Sequence, residues 1–299
     1  MLKRSVYLGS LLAWLLCLSP MLAEAGPWSK SQGHGYLKLS TYGLYSPQGN
    51  QGQTNVSFLS WTAAFYGEMG LGGGLQLNAF IPYNISRNTA GDAYYDIGGF
   101  ADSIIGLQWT PTFLQRATGF PIAIKIDVKT PLYDFHMARQ NKEVAEKGLA
   151  ARFPLLGQGQ LDVTGWLSIG GSIPNTPMYM YAEVGFRYRT TAYVGASAGF
   201  ESFQPELQNQ FTFFAQIGYK IHALRGLLIA WNNQGVVSLG DPAASPLSPT
   251  FFITGLGFFF PVVKTRGLTM ALEANIDYTY IGINAGTPIS ATIGFSLGF

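Results

Sequence analysis

The stretch "LTMALEANIDYTY", Leu268 to Tyr280, decides the fold class. Leu268, Met270, Leu272, Ala274, Ile276, Tyr278 and Tyr280 fall on one side of an extended chain, with Thr269, Ala271, Glu273, Asn275, Asp277 and Thr279 on the other. Side chains of a strand alternate between faces, whereas a helix repeats every 3.6 residues and would mix the two sets. Both carboxylates lie on the polar face, so the segment reads as a strand with one face apolar along its whole length.

The same parity recurs along the chain. In "FPIAIKIDVKTP", Ile122, Ile124, Ile126 and Val128 oppose Ala123, Lys125, Asp127 and Lys129. "GQLDVTGWLSIG" opposes Leu161, Val163, Leu167 and Ile169 to Gln160, Asp162, Thr164 and Ser168. "MYMYAEVGFRYR" opposes Met178, Met180, Ala182, Val184, Phe186 and Tyr188 to Tyr179, Tyr181, Glu183, Arg187 and Arg189. "YLKLSTYGLY" sets Leu37 and Leu39 against Tyr36, Lys38, Ser40 and Tyr42. A soluble β-sandwich also alternates, but its strands average about 5–6 residues. These patterns run about 10–14, the length of a tilted strand that crosses a bilayer.

Bulk composition agrees with a transmembrane sheet. Of 299 residues, 37 are glycine, 14% are aromatic and only 11% are charged. A formal net charge of +2 gives no reason to expect nucleic acid as a partner. No run after residue 25 is apolar and long enough for a membrane helix, the longest candidate being Phe251 to Val263. Strands cross a membrane only if the sheet closes and pairs every backbone group.

Residues 1–25 read as a signal peptide. Lys3 and Arg4 are followed by an apolar core, Val6 to Leu18, and by Ala23-Glu24-Ala25 as a small-x-small cleavage site. An uncleaved anchor helix is the rival, with an apolar stretch short for a span. Cys17 is the only cysteine and would leave with the signal. Residues 26–299 would then hold neither disulfides, thiolate metal sites nor cysteine nucleophiles.

The expectation is an all-β, antiparallel transmembrane barrel over residues 26–299. Its twelve strands fall near 34–46, 55–68, 74–85, 96–110, 120–130, 158–171, 177–189, 209–220, 226–238, 250–261, 266–280 and 288–299. Short links alternate with longer ones at 47–54, 86–95, 131–157, 190–208, 239–249 and 281–287, as periplasmic turns and extracellular loops do. An even count places both termini in the periplasm. A further strand within 190–208 would make the count odd, so that segment is read as a loop or as strand extensions. "FFITGLGFFFP" has no clean parity and its faces are left unassigned. Tyr45, Tyr83, Tyr188, Tyr278 and Tyr280 near one set of strand ends, and Trp109, Tyr219 and Phe299 near the other, suit interface girdles.

"GPWSKSQGHGYLKLS" resembles the opening of the MetA-pathway-of-phenol-degradation group of outer-membrane barrels. "DIGGFADSIIGLQW", with Gly99, Asp102, Gly106 and Leu107, resembles that family's Gly-x-x-Asp-x-x-x-Gly-Leu strand. "YIGINAGTPISATIGFSLGF" resembles its closing hairpin, with Ile283 where arginine is common. The resemblance implies an integral outer-membrane location and small organic solutes, aromatic ones among the candidates. It also implies that a strand-terminal Phe299 is an assembly signal for the barrel-insertion machinery.

Parity places six cations in the lumen, Lys38, Lys125, Lys129, Arg187, Arg189 and Lys220, against seven carboxylates, Glu68, Asp102, Asp127, Asp162, Glu183, Glu273 and Asp277. Such a balance argues against an anion-selective pore and also suits pairs that brace the interior. Glu183 and Arg187 are about 13 Å apart on one strand, so their partners must come from neighbouring strands. Tyr36, Tyr42, Tyr66, Phe80, Trp166, Tyr179 and Tyr181 share the lumen by the same parity. They suit a partly apolar solute or simple filling. Val144, Ala145 and Leu149 with the Glu143/Lys147 pair suggest a short amphipathic helix in the 131–157 loop, either folded into the mouth or lying on the rim.

His34, His136 and His222 lack a serine and an orienting acid at usable spacing, so no hydrolase site, catalytic residue, metal or cofactor is expected. The function expected is a passive channel for small organic solutes. The alternative is a structural or surface-interaction barrel, for adhesion or matrix attachment, with a plugged lumen.

Overall fold

The computed structural model describes residues 27–47, 57–132, 156–157, 159–193, 207–240, 248–283, 285 and 287–299. Its thirteen strand segments, in chain order, are β1 Gly35–Ser46, β2 Ser57–Gly72, β3 Leu75–Ala90, β4 Ala93–Phe100, β5 Asp102–Trp109, β6 Ile122–Pro131, β7 Gln160–Ser172, β8 Met178–Tyr193, β9 Gln210–Ile221, β10 Leu227–Ser238, β11 Thr250–Lys264, β12 Thr269–Ile283 and β13 Ile289–Gly298. The strands pair antiparallel with their neighbours, β2 with β3 and β1 with β13, so the sheet closes on itself; among the described residues β4 pairs on one side only, with β3. β4 and β5 pair with successive parts of β3 and form one interrupted strand. The result is a closed barrel of twelve antiparallel strands.

The barrel is turned inside out relative to a soluble domain. The bulkiest side chains with almost no exposure include Gln160, Gln210, Asn88, Thr62 and Asp162. Leu39, Ile124, Ile126, Leu167, Val184, Ile276 and Ile293 stand exposed, Ile293 by 66%. All eight girdle aromatics named from the sequence are exposed on the outer surface. A polar interior and a continuous apolar exterior fit a bilayer as the solvent.

Local chemistry sets the irregularities. Between Phe100 and Asp102 the register against β3 slips by one residue at Ala101. Ala101 donates its N–H to Pro82 O at 3.0 Å. Pro82 has no N–H to return, so the ladder cannot continue there. The slip reverses parity: Tyr94, Asp96 and Phe100 are exposed on one side of it, and Ile105, Leu107 and Trp109 on the other. A second slip, between Pro261 and Val263, again falls at a proline. "FFITGLGFFFP" does resolve into faces, with Leu256, Phe258 and Phe260 out and Gly255 buried.

Several boundaries differ from expectation. The short link "PTFLQRATG", between the expected strands 96–110 and 120–130, carries a helix, α1, Thr112–Thr118. Gly119 at φ 77 ends it, donating to Gln115 O, and seven residues were too few to show a helical period. Residues 86–95 are not a loop: β3 and β4 run on to a two-residue turn at Gly91-Asp92, with Gly91 at φ 61. Most strands extend past their expected ends, and β8 runs on through residues 190–193, in line with the strand-extension reading of 190–208. The rest of that loop to residue 206, the helix expected around 143–149, and the 1–25 signal segment lie outside the described residues.

Candidate functional site: the inner wall

Large inward side chains lie along the wall rather than across the barrel axis. Tyr179 faces Gly218 across the β8–β9 ladder, and a Cβ on that glycine would meet its ring at 1.8 Å. Trp166 lies in the same way over Gly185, and Asp127 and Asp277 over Gly106 and Gly255. Pairing a large residue with glycine across the ladder lets rings and carboxylates fold flat.

The charged side chains form two groups. Toward the end away from the termini, the Asp162 side chain is fully buried. Lys129 Nζ is 2.8 Å from its Oδ2, and Arg189 Nε is 3.5 Å away. Lys129 also reaches Asp102 at 3.0 Å. Arg187 donates to Thr164 Oγ1 at 3.4 Å and to Gln210 Oε1 at 3.0 Å. Asp102 is inward because of the slip at Ala101; on the parity of β4 it would have pointed out.

Toward the terminal end the other group joins tyrosines to glutamates. Tyr36 and Lys38 both donate to Glu273, Tyr66 to Glu68, and Tyr181 to Glu183, which also accepts from Ser168 at 3.2 Å. Lys125 lies 3.3 Å from Asp127, 4.0 Å from Glu183 and 4.9 Å from the centre of the Trp166 ring. Tyr181 is within electrostatic reach of Glu68 and Tyr66, although four strands separate β2 from β8 on the shorter way round. A neutral amide chain completes the wall. Tyr179 donates to Gln216, Gln216 to Asn232 at 2.7 Å, Asn232 to Asn275 at 3.2 Å, and Asn275 to Asp277. Glu183 and Arg187 both find partners on adjacent strands. Lys220, from the same expected set, lies near the terminal end of β9 and makes no ion pair among the described residues.

Residues 27–33 were not anticipated as part of the interior. This strap enters β1 from the inner face of the terminal end. Pro27 O accepts from Thr110 Oγ1 at 2.7 Å, and Trp28 and Pro27 pack against Gly170. Lys30 N donates to Gln76 Oε1 at 2.8 Å, and its Nζ lies 3.9 Å from Glu68. Gly33 N donates to Gly70 O at 3.1 Å. A Cβ on Gly70 would fall 2.3 Å from Lys30 O, so that glycine is what lets the strap lie against β2. The strap thus covers the inner wall from β2 round to β7. The only sequence signals were the glycines it needs and a Trp in an otherwise polar run.

Comparison with solved structures places this architecture. A crystal structure of an outer membrane channel from Pseudomonas putida F1 is similar at TM-score 0.65 and 11% identity, covering 93% of this chain and 100% of that one. NanC porin gives TM-score 0.47 and 11% identity over 86% and 98% of the two chains. The CymD monoaromatic hydrocarbon channel gives 0.39 and 8% over 89% and 88%. Of these, the first is close enough to establish a shared fold, that of an outer-membrane β-barrel. No protein-family model matches the chain. No curated protein matches it either.

Proposed function

We propose that the chain is a passive outer-membrane channel for small organic solutes, aromatic ones among the candidates. The observation that carries this reading is the wall itself. Eight strands enclose an interior that side chains just fill, and twelve enclose more. Here the largest inward groups are folded flat over glycines, which keeps that extra room. With Lys30 added, seven inward cations face seven carboxylates, and most are paired. A solute of low net charge would meet paired charges, hydroxyls, amides and aromatic faces, with little bias for either ion sign.

A barrel of this kind reaches the outer membrane by way of the periplasm. We therefore take residues 1–25 as a cleaved signal and both termini as periplasmic. Phe299 is then the group engaged by the insertion machinery. Gly35 N donates to Phe299 O at 2.9 Å and Phe299 N to Gly35 O at 3.0 Å, the last rung where the barrel closes. Its ring is exposed beside Gly35. Phe299→Asp should sharply reduce the fraction of folded, heat-modifiable barrel recovered from membranes. Full recovery of that variant would remove Phe299 from this role.

A plugged structural barrel is the second reading, and the strap favours it. Planar-bilayer recording separates the two. The channel reading expects discrete conductance steps and a larger conductance once residues 27–33 are excised. Gly70→Val, which displaces the strap without removing it, should act in the same direction. Absence of steps and of solute flux in both the full chain and the excised variant would sink the channel reading.

A further inference from the structure

The turns at the terminal end carry an unusual distribution of charge. Five turns join strands there: β2–β3, β5–β6, β7–β8, β9–β10 and β11–β12. Three hold exposed cations: Arg116 on α1, Arg225 after the short 3-10 turn His222–Leu224, and Lys264 with Arg266 before β12. No Asp or Glu occurs in any of the five turns, whereas the connections at the other end include Asp92, Glu143, Glu201 and Asp241. None of the four cations makes an ion pair with a described carboxylate.

Each basic turn also presents an apolar group next to its cation. Phe113 lies one helical turn from Arg116 and is 61% exposed, with the Trp109 ring beside it. Leu224 precedes Arg225, and Val262 and Val263 precede Lys264; all three are exposed. An exposed apolar side chain next to a cation at the end of a membrane-facing strand is the pattern of an interfacial anchor. The apolar group enters the acyl boundary and the cation meets a headgroup phosphate. Water-facing turns would gain nothing from keeping Phe113 and Leu224 exposed.

We propose that these three turns form a binding surface for anionic phospholipid, the ligand being the phosphate diester of a lipid such as phosphatidylglycerol in the leaflet nearest the termini. This rests on the barrel lying in a bilayer but not on its conducting solutes. Near an anionic surface each cation contributes on the order of fivefold to headgroup affinity. Several cations spread around one rim would therefore select anionic over zwitterionic lipid strongly. The same surface would hold the barrel at a fixed depth from the terminal side.

The test is native mass spectrometry of the full chain released from vesicles of mixed phosphatidylglycerol and phosphatidylcholine. The wild type should retain phosphatidylglycerol in clear excess. The combined variant Arg116→Ser, Arg225→Ser, Lys264→Ser, Arg266→Ser should reduce that excess by roughly tenfold or more. Arg87→Gln, at the opposite end, should leave it unchanged. Heat-modifiable mobility checks that each variant is a folded barrel, and bilayer recording reports channel activity independently. Equal retention by wild type and the combined variant would overturn the proposal. So would loss of the excess on adding inorganic phosphate, which would mean a free-phosphate site, or selectivity that appears only with an acidic protein present.

Discussion

Asp162→Ala should lower the unfolding free energy of the barrel by about 3–5 kcal/mol, the largest effect expected of any single inward substitution. Its carboxylate is fully buried and lies between Lys129 at 2.8 Å and Arg189 at 3.5 Å. Arg189 is itself almost fully buried, so water cannot replace the lost charge on its side. Removing one member of a buried ionic group leaves the others desolvated without compensation. Asp102, 3.0 Å from Lys129, moderates the loss on that side only. Denaturant titration of barrel folded into vesicles measures it. A loss below about 1 kcal/mol, the range of exposed pairs, would mean the interior there is as wet as the surface.

Ile126→Arg should cost roughly 2–4 kcal/mol, while its neighbour Lys125→Ala costs clearly less. Ile126 is exposed on the outer face opposite Leu107, two rungs inside the girdle position of Trp109, where a guanidinium meets hydrocarbon. Lys125 points the other way, toward Asp127, Glu183 and the Trp166 ring. After truncation Glu183 still accepts from Ser168 and Tyr181. Lys125→Ala should instead change ion selectivity, because it removes a cation from a near-balanced wall. The pair is informative because the residues are adjacent in sequence and differ only in face. Equal costs would refute the register of β6.

The alternation along β1, β6, β7, β8 and β12 could be read directly, because it needs only a two-residue repeat and a bilayer outside. The twelve-strand count came from the spacing of turn residues. Where reading failed, the controlling interaction was between strands or too short to repeat. α1 shows no period because it is two turns long, bounded by Pro111 and Gly119. "FFITGLGFFFP" has apolar residues on both faces, and only pairing with β10 and β12 assigns them. Asp102 is expected in the lumen from the sequence, but only the structure shows that this position depends on a slip at Ala101 opposite Pro82, which is distant in sequence.

The sequence by itself determined that the chain forms a closed antiparallel barrel whose regular strands alternate apolar with polar side chains. Local periodicity and the exclusion of unpaired backbone from a bilayer suffice for that. Only the tertiary structure decided which inward charges meet, that residues 27–33 lie against the inner wall, and that rings fold over glycines on the next strand. Those outcomes depend on register and on closure between residues far apart in the chain. Period-two alternation fixes a face, but it carries no information about the partner opposite.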